Sequence, residues 1–151
     1  MTDTTATGPL LGLKVIEICT TIAGPACARL LADMGAEVIK IEPPEGDPVR
    51  QMGQHYQGES LYAASILRNK RSIVLDLKTP EGRQVAADLI AQADILVENN
   101  RPGVLERLNL GYNTLSARNP GLVMVRISGY GQTGPYHERP GYGAICEAVA
   151  G

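Results

Sequence analysis

The feature that most constrains this chain is a recurrence of short β-branched and aliphatic runs, each closed by Gly, Pro or a polar pair and followed by a helix-start signal. Leu13–Cys19, Glu37–Glu42, Ser72–Leu77, Ile95–Glu98 and Leu122–Ile127 are the five runs, each short enough for a buried strand. Between them, Gly24-Pro25 opens a helix that Gly35 closes, with Leu30, Leu31 and Met34 on one face. Thr79-Pro80-Glu81 starts another, running to about Gln92 and expected to bury Val85, Leu89 and Ile90. Ser60 caps a short helix ending near Leu67. Further helices fall at Val104–Leu108, Tyr112–Arg118 and Tyr142–Val149. Strand and helix in alternation predict an α/β domain, Rossmann-like, with a mostly parallel sheet and helices on both faces. No internal repeat or linker divides the 151 residues, so one domain is expected.

Composition narrows the function. Lys and Arg number 14 against 16 Asp and Glu, which argues against nucleic acid and against a polybasic membrane surface as partners. Six Tyr with no Phe or Trp leave no stacking platform for single strands. The Thr-rich opening lacks the basic start and apolar run of a signal peptide. The longest apolar stretch, Ile16–Leu31, is interrupted by Glu17, Pro25 and Arg29, so no membrane span is expected. Cys19, Cys27 and Cys146 form no CxxC pair and are read as buried thiols of a cytoplasmic protein, with no metal site.

In a parallel sheet, ligands sit beyond the carboxyl ends of the strands, so the loops after Cys19, Glu42, Leu77, Glu98 and Ile127 carry the candidates. Gly129-Tyr130-Gly131-Gln132-Thr133-Gly134 spells G-x-G-x-x-G, but Pro135 and Pro140 forbid the helix a dinucleotide fingerprint needs. It reads better as a flexible loop closing over a ligand. The turn Thr20–Ala26 places small residues at a helix N-terminus, either as an anion or carbonyl site or as plain strand–helix packing. Glu42 stands where nucleotide binders hold a ribose, or is a surface carboxylate. Asn69-Lys70-Arg71 and Lys78 suit a phosphate, or form a solvated face, and Asn99, Arg101 and Arg107 could complete a polyanion site. The polar connector 43–60 is long enough to be functional or mobile.

Several segments together resemble the class III CoA-transferases, the group of formyl-CoA and carnitine CoA-transferases to which α-methylacyl-CoA racemase is related. They are LKVIEI at 13–18, AGPACARLLADMGAEVIKIEPPEGDPVR at 23–50, NKRSIVLDLKTPEGR at 69–83, ILVENNRPGVLERLNLGY at 95–112 and NPGLVMVRISGYGQTGPY at 119–136. The resemblance runs from about Leu10 to Gly151. It implies a tail at 1–9 and, over 10–151, the CoA-binding portion of a large domain, truncated at its C-terminal end. It also implies coenzyme A or acyl-CoA as substrate rather than a resident cofactor, a carboxylic acid as acceptor, and an interlocked homodimer in the full-length form.

By position in that family, Thr21, Ile22 and Ala23 would line the thioester and pantetheine end, and Leu75 and Lys78 would meet the nucleotide. Asn99, Arg107 and Leu108 would contact pantetheine and adenine, and Ser128 and Tyr130 would approach the acyl group. Two features depart from the pattern: Ile22 stands where formyl-CoA transferases carry Gln, and the CoA-gripping Arg that several relatives place near Pro43 is missing. The racemases' His-Asp pair is replaced by Pro140-Gly141-Tyr142-Gly143, which favours transferase over racemase. The family's catalytic Asp, which forms an acyl anhydride, would lie downstream of Gly151. A catalytically inactive CoA-binding remnant is the reading from another class.

Overall fold

The computed structural model describes residues 7–151. The expected tail at 1–9 falls mostly outside them. Of its described part, Thr7 and Gly8 lie against Met34 and Gly35, the C-terminal end of the first helix.

Five parallel strands form the sheet: β1 (Lys14–Ile18), β2 (Glu37–Glu42), β5 (Lys70–Val74), β6 (Ile95–Glu98) and β7 (Val123–Arg126). Their spatial order is β5-β2-β1-β6-β7. The chain builds outward from β1 to one edge, then returns to lay β6 on the other side of β1. That reversal leaves a crevice between the carboxyl ends of β1 and β6, where α/β sheets bind their ligands. Register aligns those ends, with Ile18 opposite Glu98 and Glu98 opposite Arg126.

Alternate side chains on each strand enter opposite faces. Ile16, Ile18, Ile41 and Leu96 join Ala86 and Ile90 of α3 (Pro80–Ile90), together with Leu105 of α4 (Val104–Arg107) and Leu115 of α5 (Tyr112–Arg118). Val15, Val38 and Val97 pack under Ala28 and Ala32 of α1 (Ala23–Asp33) on the other face. Truncating fully buried Ile90 or Leu96 to Ala would cost about 2–5 kcal/mol.

Helix faces differ from the sequence expectation. Leu30 and Met34 are about half exposed, and Val85 is exposed as well. α1 rests on Gly24, Ala28 and Ala32, with Leu31 at the margin. Small residues let the helix sit close to the sheet: a Cβ at Gly24 would lie 2.2 Å from Cys19 Sγ. α3 uses Gly82, Ala86 and Ile90 in the same way.

The connector 43–60 is structured throughout. Asp47 caps a 3-10 turn at Pro48–Gln51, and β3 (His55–Tyr56) pairs antiparallel with β4 (Glu59–Ser60). Gln57 and Gly58 form its reversal with positive φ, a hairpin signal the composition did not announce. Ser60 Oγ then accepts from Ala63 N–H and caps α2 (Leu61–Ile66), as expected. Near the C-terminal end, α6 (Gly143–Ala150) follows the Gly-rich loop. No described helix is long and apolar enough to cross a membrane.

Candidate functional site

The site begins with the turn that follows β1. Lys40 and Glu17 face each other across β2 and β1 as register partners, on the same side of the sheet as α1. Lys40 Nζ lies 2.8 Å from Glu17 Oε1, 2.8 Å from Asp47 Oδ2 and 2.7 Å from the Cys19 carbonyl. Lys70 Nζ takes the other Glu17 oxygen at 2.7 Å and the Pro25 carbonyl at 2.7 Å. These four side chains are all but inaccessible, and their two positive and two negative charges balance. Burial alone would depress the Lys40 pKa, but Glu17 and Asp47 outweigh it and leave it raised. At Lys70 burial prevails and lowers the pKa. Removing one member would strand a buried charge, at a cost of about 3–5 kcal/mol.

This ion floor holds the turn above it. Thr21 has φ +68°, a left-handed conformation that costs a β-branched residue about 1–3 kcal/mol. Its N–H donates to Asp47 Oδ1 at 3.0 Å. Asn99, just past β6, closes the other side: its Oδ1 accepts from Thr20 N–H at 2.9 Å and its Nδ2 donates to the Thr20 carbonyl at 2.8 Å. No side chain caps α1, whose first turn opens beside exposed Ile22 and Ala23.

Glu98, fully buried, accepts from Asn100 N–H and from Arg126 Nε at 2.9 Å, and Arg126 continues to Glu106. The Gly-rich loop forms the third wall. A Cβ at Gly129 would meet Gly141 Cα at 2.4 Å, so the loop's two ends touch backbone to backbone. Within it, Tyr130 and Tyr136 pack edge-to-face at 5.7 Å and the Arg139 guanidinium lies 4.0 Å over the Tyr136 ring. No helix opens inside G-x-G-x-x-G, in keeping with the exclusion of a dinucleotide fingerprint.

These walls enclose a groove of about 480 Å³. It brings together Thr21, Ile22, Ala23, Asn99 and Ser128 from the expected set, with Arg101 of the suggested polyanion group, and adds Arg139 and Cys146. The others lie elsewhere. Leu75 packs against the core cluster below α3, and Lys78 is exposed beyond β5 with its N–H on Asp76 Oδ1. Arg107 is exposed on α4, while Leu108 borders a separate cavity of about 310 Å³ between α3 and α5. Tyr130 is half buried against Tyr136 rather than lining the groove.

Three sequence readings are corrected. Glu42 is neither a ribose ligand nor a surface group: it is buried, with Arg50 Nε at 2.8 Å, Ser72 Oγ on one oxygen and the Asp47 N–H on the other. Burial pushes its pKa up, but Arg50, Ser72 and that N–H prevail and hold it at about 2. The 69–71 cation cluster is committed internally, Asn69 to Asp33, Lys70 to Glu17 and Arg71 to Glu37. Of the cysteines only Cys19 is buried, its thiol pKa pushed up by burial and by Glu17; Cys27 and Cys146 are half buried. Among the described residues, no group of three or more His, Cys, Asp or Glu could hold a metal ion.

Sequence reasoning missed the ion floor. Its signal was an ionic residue at an alternate position of two apolar strands, Glu17 in KVIEI and Lys40 in EVIKIE, with opposite signs.

A parallel sheet ordered β5-β2-β1-β6-β7, with a groove of about 480 Å³ at the β1/β6 crevice, defines a Rossmann-like α/β protein, a class in which ligands sit at the strand ends. The sequence profile of CoA-transferase family III matches residues 10–151, and the chain belongs to that family. It is 51% identical over 145 residues to the succinyl-CoA–D-citramalate CoA-transferase of Chloroflexus aurantiacus, covering 95% of this chain and 36% of that protein. With human succinyl-CoA:glutarate CoA-transferase identity is 43%, over 95% of this chain and 33% of the relative. The crystal structure of a CAIB/BAIF family protein from Brucella suis superposes with a TM-score of 0.89 at 42% identity, covering 94% of this chain and 39% of that one. The chain thus spans between 33% and 39% of the length of these relatives.

Proposed function

We propose that these residues form the CoA-binding portion of a CoA-transferase, which moves CoA between an acyl-CoA thioester and a free carboxylic acid. The observation that carries this reading is the convergence of Thr21–Ala23, Asn99 and Ser128 on one groove at the crevice, in a chain of this family. The groove would hold the thioester and pantetheine end. Lys78, Leu75, Arg107 and Leu108 would then serve the nucleotide along the outer rim rather than in the groove itself.

Chemistry follows from what the groove contains. Among the described lining residues are two guanidiniums, Arg101 and Arg139, but no carboxylate or imidazole. By the family's pattern, the nucleophile is assigned to an Asp outside these 151 residues. Its carboxylate attacks the thioester carbonyl, the C–S bond breaks, and CoA leaves as thiolate with an acyl–Asp anhydride formed. The thiolate then takes the Asp carbonyl, releasing the first acid and leaving an Asp–CoA thioester. The acceptor carboxylate reverses both steps. Arg101 and Arg139 would attract the anionic acid and steady charge on the thiolate. A racemase would need a proton carrier beside the α-carbon, and Pro140-Gly141-Tyr142-Gly143 at the groove offers no ionisable side chain of that kind except a phenol.

The test uses the intact natural protein. Its denatured mass is measured first: a value well above 16.1 kDa places the nucleophile in the same polypeptide. Titration with CoA, followed by transfer of labelled CoA from succinyl-CoA to a panel of dicarboxylic acids, then reads the function. Transfer supports the proposal. CoA binding without transfer means an inactive remnant, and label exchange at the α-carbon without transfer means a racemase.

A further inference from the structure

We infer that Asp47 is a positioning residue: it locks the β1–α1 turn in its left-handed conformation and so fixes how Ile22 and Ala23 present themselves to the groove. The inference rests on the reading that this groove receives CoA.

Asp47 belongs to the Gly46-Asp47-Pro48 step of the connector, which contributes no residue to the groove's lining. Yet it is 2% exposed and every contact it makes is directed. Oδ1 accepts from Thr21 N–H at 3.0 Å and from Val49 N–H at 2.9 Å. Oδ2 faces Lys40 Nζ at 2.8 Å, and its own N–H donates to Glu42 Oε2 at 2.9 Å. Lys40 in turn holds the Cys19 carbonyl, two residues ahead of Thr21. The turn is thus pinned at Cys19 from the sheet and at Thr21 from the connector, with Asn99 holding Thr20 between them.

Thr21 is the reason a pin is needed. A glycine would take φ +68° freely, whereas a β-branched residue relaxes to negative φ unless something holds its N–H. Relaxation would rotate the following peptides and redirect Ile22 and Ala23, which open the uncapped N-terminus of α1. A charge serves better than a neutral acceptor here because Lys40 immobilises it. Glu42, itself fixed by Arg50 and Ser72, completes the support from behind.

Removing Asp47 alone strands Lys40, so the informative variants remove both charges and keep the Glu17–Lys70 pair intact. Lys40→Met/Asp47→Ala deletes the acceptor for Thr21. Lys40→Met/Asp47→Asn restores an oxygen at that place without charge. In the intact protein, the Ala double variant is expected to melt below the Asn double variant, because Thr21 and Val49 N–H lose their acceptor, and, at a temperature where both are fully folded, to bind CoA about tenfold more weakly. Equal CoA affinity in the two, with wild type binding normally, overturns the inference and leaves Asp47 as an ion pair of the fold. Failure of wild type to bind CoA overturns the reading of the groove itself. Should neither double variant fold, amide exchange in wild type decides: Thr21 N–H is expected to exchange at least about 100-fold slower than an open turn, and unprotected exchange overturns the inference.

Discussion

The connector 43–60, which backs the Thr20–Ala23 turn, and the loop 128–142, whose ends line the groove, are both polar, Gly-containing and of similar length, yet they are held by opposite means. The connector is tied to the sheet by charge, Asp47 to Lys40 and Arg50 to Glu42, and closed on itself by the neutral bond from Ser60 Oγ to the Met52 carbonyl at 2.5 Å. The loop has no ion pair to the rest of the protein among its described residues. It is closed by the contact of Gly129 with Gly141, by the Cys146 thiol on the Gly129 carbonyl at 3.4 Å, and by its own aromatic and cationic stack. Buried charge gives directed, unyielding support; backbone contact at two glycines gives a closed neck with a body that packs mainly on itself. A turn held from behind by the connector and a loop that packs mainly on itself thus line the same groove, the arrangement expected where one side orients a ligand and the other adjusts to it.

The comparison is broken most severely on the connector side. Lys40→Met should cost about 3–5 kcal/mol, because Glu17 and Asp47 would be left with Lys70 alone, and urea unfolding of the intact protein would read it. Gly129→Ala is the corresponding break in the loop. Its Cβ cannot fit against Gly141 Cα, so the neck must open, at about 1–3 kcal/mol for overpacking. CoA affinity should fall in that variant more than global stability does, and calorimetric titration beside thermal unfolding separates the two.

Acid sharpens the contrast. Glu42 is held at about 2, below its ordinary value of 4.5, so its stabilisation is complete above pH 4.5 and is lost as pH falls from there toward 2. Stability measured by denaturant unfolding should drop through that window, and Glu42→Gln should flatten part of the drop while lowering stability at neutral pH. Gly129→Ala should leave the shape of the acid limb unchanged.

The sheet was legible in the sequence because each strand is an apolar run with a clear stop: β2, β6 and α5 lie at the boundaries read from residues alone. Part of the site was legible for a topological reason. Strand ends meet at the crevice, so Thr21–Ala23, Asn99 and Ser128 converge. The rest depends on register and on which helix stripe packs, neither of which is local. β5 begins two residues before its apolar run because Lys70 reaches inward to Glu17, a partner 53 residues away. α1 carries two stripes of similar spacing, one of leucine and methionine and one of glycine and alanine, and only the sheet selects the small one. A charge count of 14 against 16 says nothing of which charges are already committed.

That last distinction yields the smallest effect and the finest test. Arg68 spends its guanidinium on Asp33, with Nη2 at 2.6 Å, whereas Lys78 has no carboxylate partner among the described residues. Both are exposed cations, Arg68 before and Lys78 after β5, and composition cannot separate them. If the outer rim receives the nucleotide, Lys78→Ala should weaken CoA binding roughly tenfold, ~1.5 kcal/mol, as for one charge-assisted hydrogen bond to phosphate. The loss should shrink as salt is raised, because an exposed contact is screened. Arg68→Ala removes the same charge from the surface but should change CoA affinity less than about twofold, since its guanidinium is spent on Asp33 in a solvent-screened pair that adds little to the fold and nothing to the ligand. Titration of both variants at two salt concentrations makes the comparison. Equal losses would mean that the rim acts only through its overall field; a loss confined to Lys78 identifies a specific phosphate contact, reached by a cation that the fold itself leaves uncommitted.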